Sequence, residues 1–140
     1  MRILALDIGE KRIGVAVSDP TQRVASPVCV LDAPQALASK RDFERLQQDY
    51  DDIELLLVGL PRSLDGTEGP QAARVREVAV RIGELTGLPL AYCDERLSSV
   101  EASRRMAEAG ADSRARRGSV DMVAAALMLQ AYLDEKWSDR

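Results

Sequence analysis

The sequence predicts an α/β domain: a mixed five-stranded sheet, three antiparallel strands then two parallel ones, with helices on both faces. Three observations lead there. The first 31 residues hold three short apolar runs separated by turns too brief for crossovers, which makes an antiparallel meander. Apolar runs then alternate with stretches of helical periodicity, the pattern of parallel strands joined by right-handed crossovers. The 140 residues suffice for one domain with a real core, 1–140, and not for two.

The elements follow in order. Ile3-Leu4-Ala5-Leu6-Asp7-Ile8 is nearly all apolar, as in a strand buried on both faces. Gly9-Glu10-Lys11-Arg12 turns and Ile13 to Val17 returns. Asp19-Pro20-Thr21-Gln22 turns again, and Val24 to Leu31 makes a third strand. Pro27 lies inside that strand and confines it to a sheet edge. Residues 35–50 read as one helix, with Phe43, Leu46 and Tyr50 three and four apart. Ile53 to Leu60 is a strand stopped by Pro61. A polar loop runs to Gly69, and Pro70 opens a helix. Its apolar face is Val75, Val78, Ala79, Ile82 and Leu85, and Gly87 ends it. Leu88 to Cys93 is a short strand. Ser98 and Glu101 fit a capping box, so a helix is expected from there to near Gly110. Residues 111–118 read as a polar, basic, mobile connection. Ser119 is expected to cap a last helix, apolar nearly all round and suited to packing on the sheet.

Composition excludes much. The chain has no histidine, so a Ser-His-Asp triad, a Cys-His pair and imidazole-ligated metal sites are ruled out. Cys29 and Cys93 lack metal-ligand spacing and read as small core residues. Any chemistry must come from carboxylates, hydroxyls, lysine or arginine. With 46% apolar and 30% charged residues and no apolar run of the ~18 residues a span requires, a cytoplasmic protein is expected, with no membrane partner. The net charge of −4 comes from residues 32–54, where seven acids face three bases; the rest balances at 16 of each. The acidic total argues against a general nucleic-acid coat protein and leaves room for one local basic surface. One Trp, one Phe and three Tyr give no evident stacking platform.

Several acids stand in unusual places. Asp7 sits inside an apolar strand, where a charge costs several kcal/mol unless it is paired or binds a cation. Asp94 and Glu95 follow an apolar strand directly, at the kind of strand end where α/β sites collect. Adjacent acids on extended backbone point opposite ways, so one of the two is expected to face a site. Asp121 falls in the expected first turn of the last helix, where the helix dipole alone would account for it with ~0.3–1 kcal/mol. Taken together, carboxylates from a strand, a strand end and a helix start suit Mg²⁺ or Mn²⁺. Two such ions about 3.5–4 Å apart can activate a water and stabilise the leaving oxygen of a phosphodiester. Basic residues flank the acids: Lys11 and Arg12 after Asp7, Arg62 after the strand at 53–60, Arg96 after Glu95, and Arg114, Arg116 and Arg117 before Asp121. Each is either an ordinary surface charge or a phosphate contact.

At these residues the chain resembles a known family. LALDIGEKRIGVAVSD, LLVGLPRSLDGTEG, YCDERLSSVEA and SVDMVAAALMLQAYLD are similar to the four blocks of the YqgF family, also called RuvX, in the same order and across almost the whole chain. The resemblance implies a ribonuclease-H-like fold and a metal-dependent nuclease, endo- or exonucleolytic. It also implies a nucleic-acid partner: the precursor of 16S rRNA, matured at its 5′ end, or branched DNA such as a Holliday junction. Asp7, Glu95 and Asp121 match the family's acids, as catalytic residues and ligands of Mg²⁺ or Mn²⁺. Asp94 matches a further family position as a candidate metal ligand. Arg62 stands where the family's basic residue varies. Ser119 stands where many members have lysine, and Arg116 or Arg117 can substitute for it. Two other classes compete. An ATP-binding protein of the actin type also carries an acid and glycine at its first strand, but needs two such domains. A non-catalytic RNA-binding or ribosome-assembly factor differs from the enzyme only in activity.

Overall fold

The computed structural model describes residues 1–61, 67–94 and 113–138, and the side chains of the last stretch from 120 to 137. Its elements are β1 (Arg2–Ile8), β2 (Arg12–Ser18), β3 (Ala25–Asp32), α1 (Ala33–Ala38), α2 (Arg41–Asp49), β4 (Ile53–Leu60), α3 (Pro70–Thr86), β5 (Leu90–Asp94) and α4 (Ser113–Ser138). The sheet order is β3-β2-β1-β4-β5. β2 runs antiparallel to β1 and β3, whereas β4 runs parallel to β1 and β5. This is the expected mixed sheet. β3 lies at an edge, and Pro27 pairs with Ala16 where the register shifts, so the missing N–H interrupts no regular ladder.

Strand alternation splits the sheet into two unlike faces. Leu4, Leu6 and Ile8 of β1 join Ile13, Val15 and Val17 of β2 and Leu56, Val58 and Leu60 of β4. That face of large side chains packs on Ala33, Ala36, Phe43 and Leu46 of α1 and α2, and on Val75, Ala79 and Ile82 of α3. The other face carries Ile3 and Ala5, Ala16, and Leu57, and meets Ala125, Met128, Leu129 and Leu133 of α4. Small residues at the centre of this face let α4 lie close to the strands.

Two boundaries differ from the sequence reading. The helix expected at 35–50 is two helices, because Ser39 adopts extended backbone at φ −149° and ψ 168°. The first is capped by Asp32, whose carboxylate accepts from the Gln35 amide at 3.0 Å. The second alone carries the Phe43–Leu46 stripe. The last helix starts at Ser113, and residues 113–118 are its first turns rather than a mobile connection. Arg and Ala are strong helix formers with no proline among them, and local propensity outweighs the polar character read there. Ser119 therefore lies inside the helix rather than at its N-terminal boundary. The helix expected at 98–110 lies outside the described residues. Cys29 and Cys93 are half-buried, one against each core, and form no disulfide.

The C-terminal half of α4 is tied to the β2–β3 turn. Gln130 accepts from the Ala25 amide and donates to the Arg23 carbonyl, both at 2.9 Å. The Trp137 indole donates to the Gln22 carbonyl at 2.8 Å, and the Arg23 guanidinium lies 3.9 Å above the Trp137 ring. Gln22 is buried and takes φ 60°; its carboxamide bonds the Met1 carbonyl, Glu54 and Lys136. The Thr21 hydroxyl and the Val24 and Arg23 amides shape the same turn around Asp19 and hold its carboxyl well below the usual carboxylate range.

Further toward its N-terminus α4 touches the sheet backbone to backbone. A Cβ added at Gly14 would sit 2.1 Å from the Asp121 carbonyl oxygen. Gly14→Ala is accordingly expected to lower stability by about 1–3 kcal/mol, since the helix must move away. Gly83, inside α3, has 3.6 Å of clearance, so Gly83→Ala is expected to stabilise by about 0.5–1 kcal/mol. Denaturant titration of both variants checks this pair of opposite signs; an unchanged midpoint for Gly14→Ala would show that the helix is not seated on that glycine.

Candidate metal and nucleic-acid site

Asp7 is the second-last residue of β1 and shares the alternation of Ile3 and Ala5, so it faces α4. Its partner across the antiparallel pair is Gly14. The absent side chain at Gly14 is what allows the Asp121 backbone to approach, and both carboxylates thereby reach one cleft. That cleft has a volume of about 490 Å³ and is lined by Asp7, Ile8, Gly9, Lys11, Arg12, Gln71, Val120 and Asp121. The β1–β2 hairpin forms one wall. Its turn is closed by the Gly9 amide donating to the Arg12 carbonyl at 2.8 Å, and the Lys11 carbonyl accepts from Ala33 at 2.9 Å. The first turn of α3 brings Gln71 to the cleft, and α4 brings Val120 and Asp121.

Burial, followed by the charge of Asp121, pushes the Asp7 carboxyl up from 3.8 to about 6. Among the described residues no lysine or arginine forms an ion pair with Asp7 or Asp121. The early start of α4 also changes the reading of Asp121. It stands two turns inside the helix, beyond the first turn where the dipole acts, so that account of it falls away. Two acids held together in a half-buried cleft, with no ion-pair partner among the described residues, form a donor set that fits a divalent cation.

The other expected residues divide. Lys11 and Arg12 line the cleft. Arg114, Arg116 and Arg117 lie in the first turns of α4, N-terminal to Asp121. Arg62, Glu95 and Arg96 lie outside the described residues. Asp94 ends β5, paired with Leu60, and shares the alternation of Leu90 and Tyr92, which pack on the α3 side. It is not among the residues lining the cleft. Sequence reasoning missed Gly14 and Gln71. A glycine inside a β-branched strand signals close backbone approach and could have been found; Gln71 carries no such signal.

The family profile described as "RuvX: Holliday junction resolvase" matches residues 1–135. The chain belongs to the RuvX family. Its RuvX relatives include proteins named "Putative pre-16S rRNA nuclease". The one from Roseiflexus sp. (strain RS-1) is 42% identical over 136 residues, covering 96% of this chain and 95% of the relative. The one from Thermoanaerobacter pseudethanolicus is 40% identical over 139 residues, covering 97% and 98%. Among solved structures, the fold is similar to T. thermophilus RuvC in complex with a Holliday junction substrate, with a TM-score of 0.53, 12% identity and coverage of 98% and 96%. It is also similar to fowlpox virus resolvase with Holliday junction DNA, at 0.57, 13%, 97% and 99%. These two likenesses show the ribonuclease-H-like fold.

The raised Asp7 carboxyl has a consequence for stability. Between pH 4 and pH 6 the native state keeps a proton that the unfolded chain has released, so stability falls as pH rises through that window. The full effect is about 3 kcal/mol above pH 6. Asp7→Asn, measured in chelator, should match wild type near pH 4 and exceed it at pH 8. A gap that does not widen with pH would mean that the Asp7 charge is already compensated.

Proposed function

We propose that this RuvX protein is a divalent-metal-dependent nuclease acting on structured nucleic acid, in 5′-end maturation of the 16S rRNA precursor. One observation carries the reading: Asp7 and Asp121, 114 positions apart in the chain, share one cleft with Lys11 and Arg12 on its wall. The names of its relatives supply the substrate.

Asp7 and Asp121 hold Mg²⁺ or Mn²⁺, with Glu95 as the third carboxylate. Strand alternation leaves Asp94 to the other side of β5 and so favours Glu95 of the adjacent pair. When bound, the cation supplies Lewis acidity, polarising the scissile phosphate and lowering the pKa of the attacking water. The protein's own residues do the rest. Lys11 and Arg12 take phosphate oxygens flanking the cut, with Arg62, Arg96, Arg116 and Arg117 as further contacts along the strand. The half-buried position of Asp7 limits water around the carboxylates and strengthens their hold on a cation. Branched DNA is the second reading, favoured by the description of the matching family profile.

The test is cleavage of a pre-16S leader RNA and a four-way DNA junction under identical conditions, with Mn²⁺, Mg²⁺ or chelator. Cleavage should require the metal, and Asp7→Asn or Asp121→Asn should reduce it by at least about a hundredfold, a loss seen even for residues that merely support a ligand. Equal residual cleavage by wild type and Asp7→Asn would mark the activity as a contaminant and favour the binding-factor reading. A faster cut on the junction would turn the substrate assignment to DNA.

A further inference from the structure

The side chains of the cleft sort by hydrogen-bonding chemistry. Ionised Asp7 and Asp121 only accept; Lys11 and Arg12 only donate. Gln71 does both, and among the described residues it is the one lining side chain that is polar, neutral and able to do so. Its carboxamide has no hydrogen-bond partner among those residues. Of the five other glutamines, Gln22, Gln47 and Gln130 are bonded within the fold; Gln35 and Gln48 are exposed like Gln71 but lie away from the cleft, so its place on the cleft wall is what sets Gln71 apart.

The backbone of Gln71 is positioned by the start of α3, while its side chain is exposed to the cleft. Pro70 fixes the first turn of α3, and Arg74, one turn on and on the same helix face, reaches Glu10 of the hairpin at 3.3 Å. That contact bridges the two elements which carry Gln71 on one side and Lys11 and Arg12 on the other.

A nucleic-acid backbone offers phosphate oxygens, which accept, and in RNA a 2′-hydroxyl, which both donates and accepts. The cations match the phosphates. The carboxamide matches the hydroxyl. We infer that Gln71 is a specificity-determining residue of this site: its carboxamide reads the ribose 2′-hydroxyl of a nucleotide next to the scissile phosphate and makes the cleft prefer RNA to DNA. The inference rests on the nuclease reading above and deepens it by assigning the substrate class to one side chain.

The experiment compares an RNA substrate with copies carrying a single 2′-deoxynucleotide at successive positions around the cut. For each, kcat/KM and equilibrium binding are measured with wild type and Gln71→Ala. Alanine is the best helix former, so Gln71→Ala is expected to keep the fold, with circular dichroism as the check. Wild type should lose about three- to tenfold at one deoxy position, the size of a neutral hydrogen bond. Gln71→Ala should lose the same factor on all-ribose RNA and show no further loss at that position. A positional deoxy effect that survives in Gln71→Ala overturns the inference. So does a variant that weakens ribo and deoxy substrates equally, which would make Gln71 a phosphate contact. If wild type cleaves nothing, the nuclease reading fails separately, and binding then decides. A ribose preference abolished by Gln71→Ala supports the inference, and binding indifferent to the 2′-hydroxyl overturns it.

Discussion

The seating of α4 on Gly14 is the contact from which the rest of the site derives. A carboxylate in a nearly apolar strand and a second one inside a helix repel each other, and each has a cheaper place in water. They share a cleft because the helix bearing one is packed onto the strand pair bearing the other. The force that does this is applied elsewhere. Leu129, Leu133 and Met128 bury against Ile3 and Leu57, and the Gln22–Trp137 cluster fixes the far end of the helix. Burial of each such side chain contributes about 1.5–3 kcal/mol, so a few of them outweigh the cost of about 3 kcal/mol at Asp7. The electrostatic cost at the acids is therefore carried by apolar burial elsewhere in the fold.

The two faces of the sheet divide the labour. Large aliphatic residues on the α1–α3 side interdigitate and set the register of the strands. On the α4 side, Ala5, Gly14 and Ala16 present almost no side chain. That face gives up burial area per residue in exchange for proximity. The cleft opens at the C-terminal end of β1, where the sheet changes from antiparallel to parallel pairing. Crevices form at such a switch because the connections leave the strand ends in different directions. Here the hairpin leaves one way, and α3 enters from the crossover after β4.

Strand order was legible because it rests on short-range signals: two tight turns, a strand-interior proline and two crossovers. Asp7 was legible because an acid in an apolar run contradicts its neighbours. The break at Ser39 was hidden because the stripe from Phe43 to Tyr50 extends backward through alanines that fit either helix. The start of α4 was hidden because polarity and mobility look alike in sequence, while Arg and Ala favour helix. That error also gave Asp121 a dipole explanation which the longer helix removes. Gln71 could not be found at all: nothing local distinguishes a glutamine at a cleft from one in water.

Charge placement explains how an acidic chain can present basic side chains at its cleft. The surplus of acids lies in residues 32–54, which form the end of β3, α1, α2 and the start of β4. Those helices cover the face opposite α4, and the side chains of Asp7 and Ala5 point away from them. The acidic segment reaches the cleft only at its start, where Asp32 pairs with Arg12 in the β2–β3 ladder, and Lys11 and Arg12 act there at short range. The net charge of −4 therefore belongs to one segment, and the balance of charge over the rest of the chain leaves the basic pair on the hairpin beside the two acids.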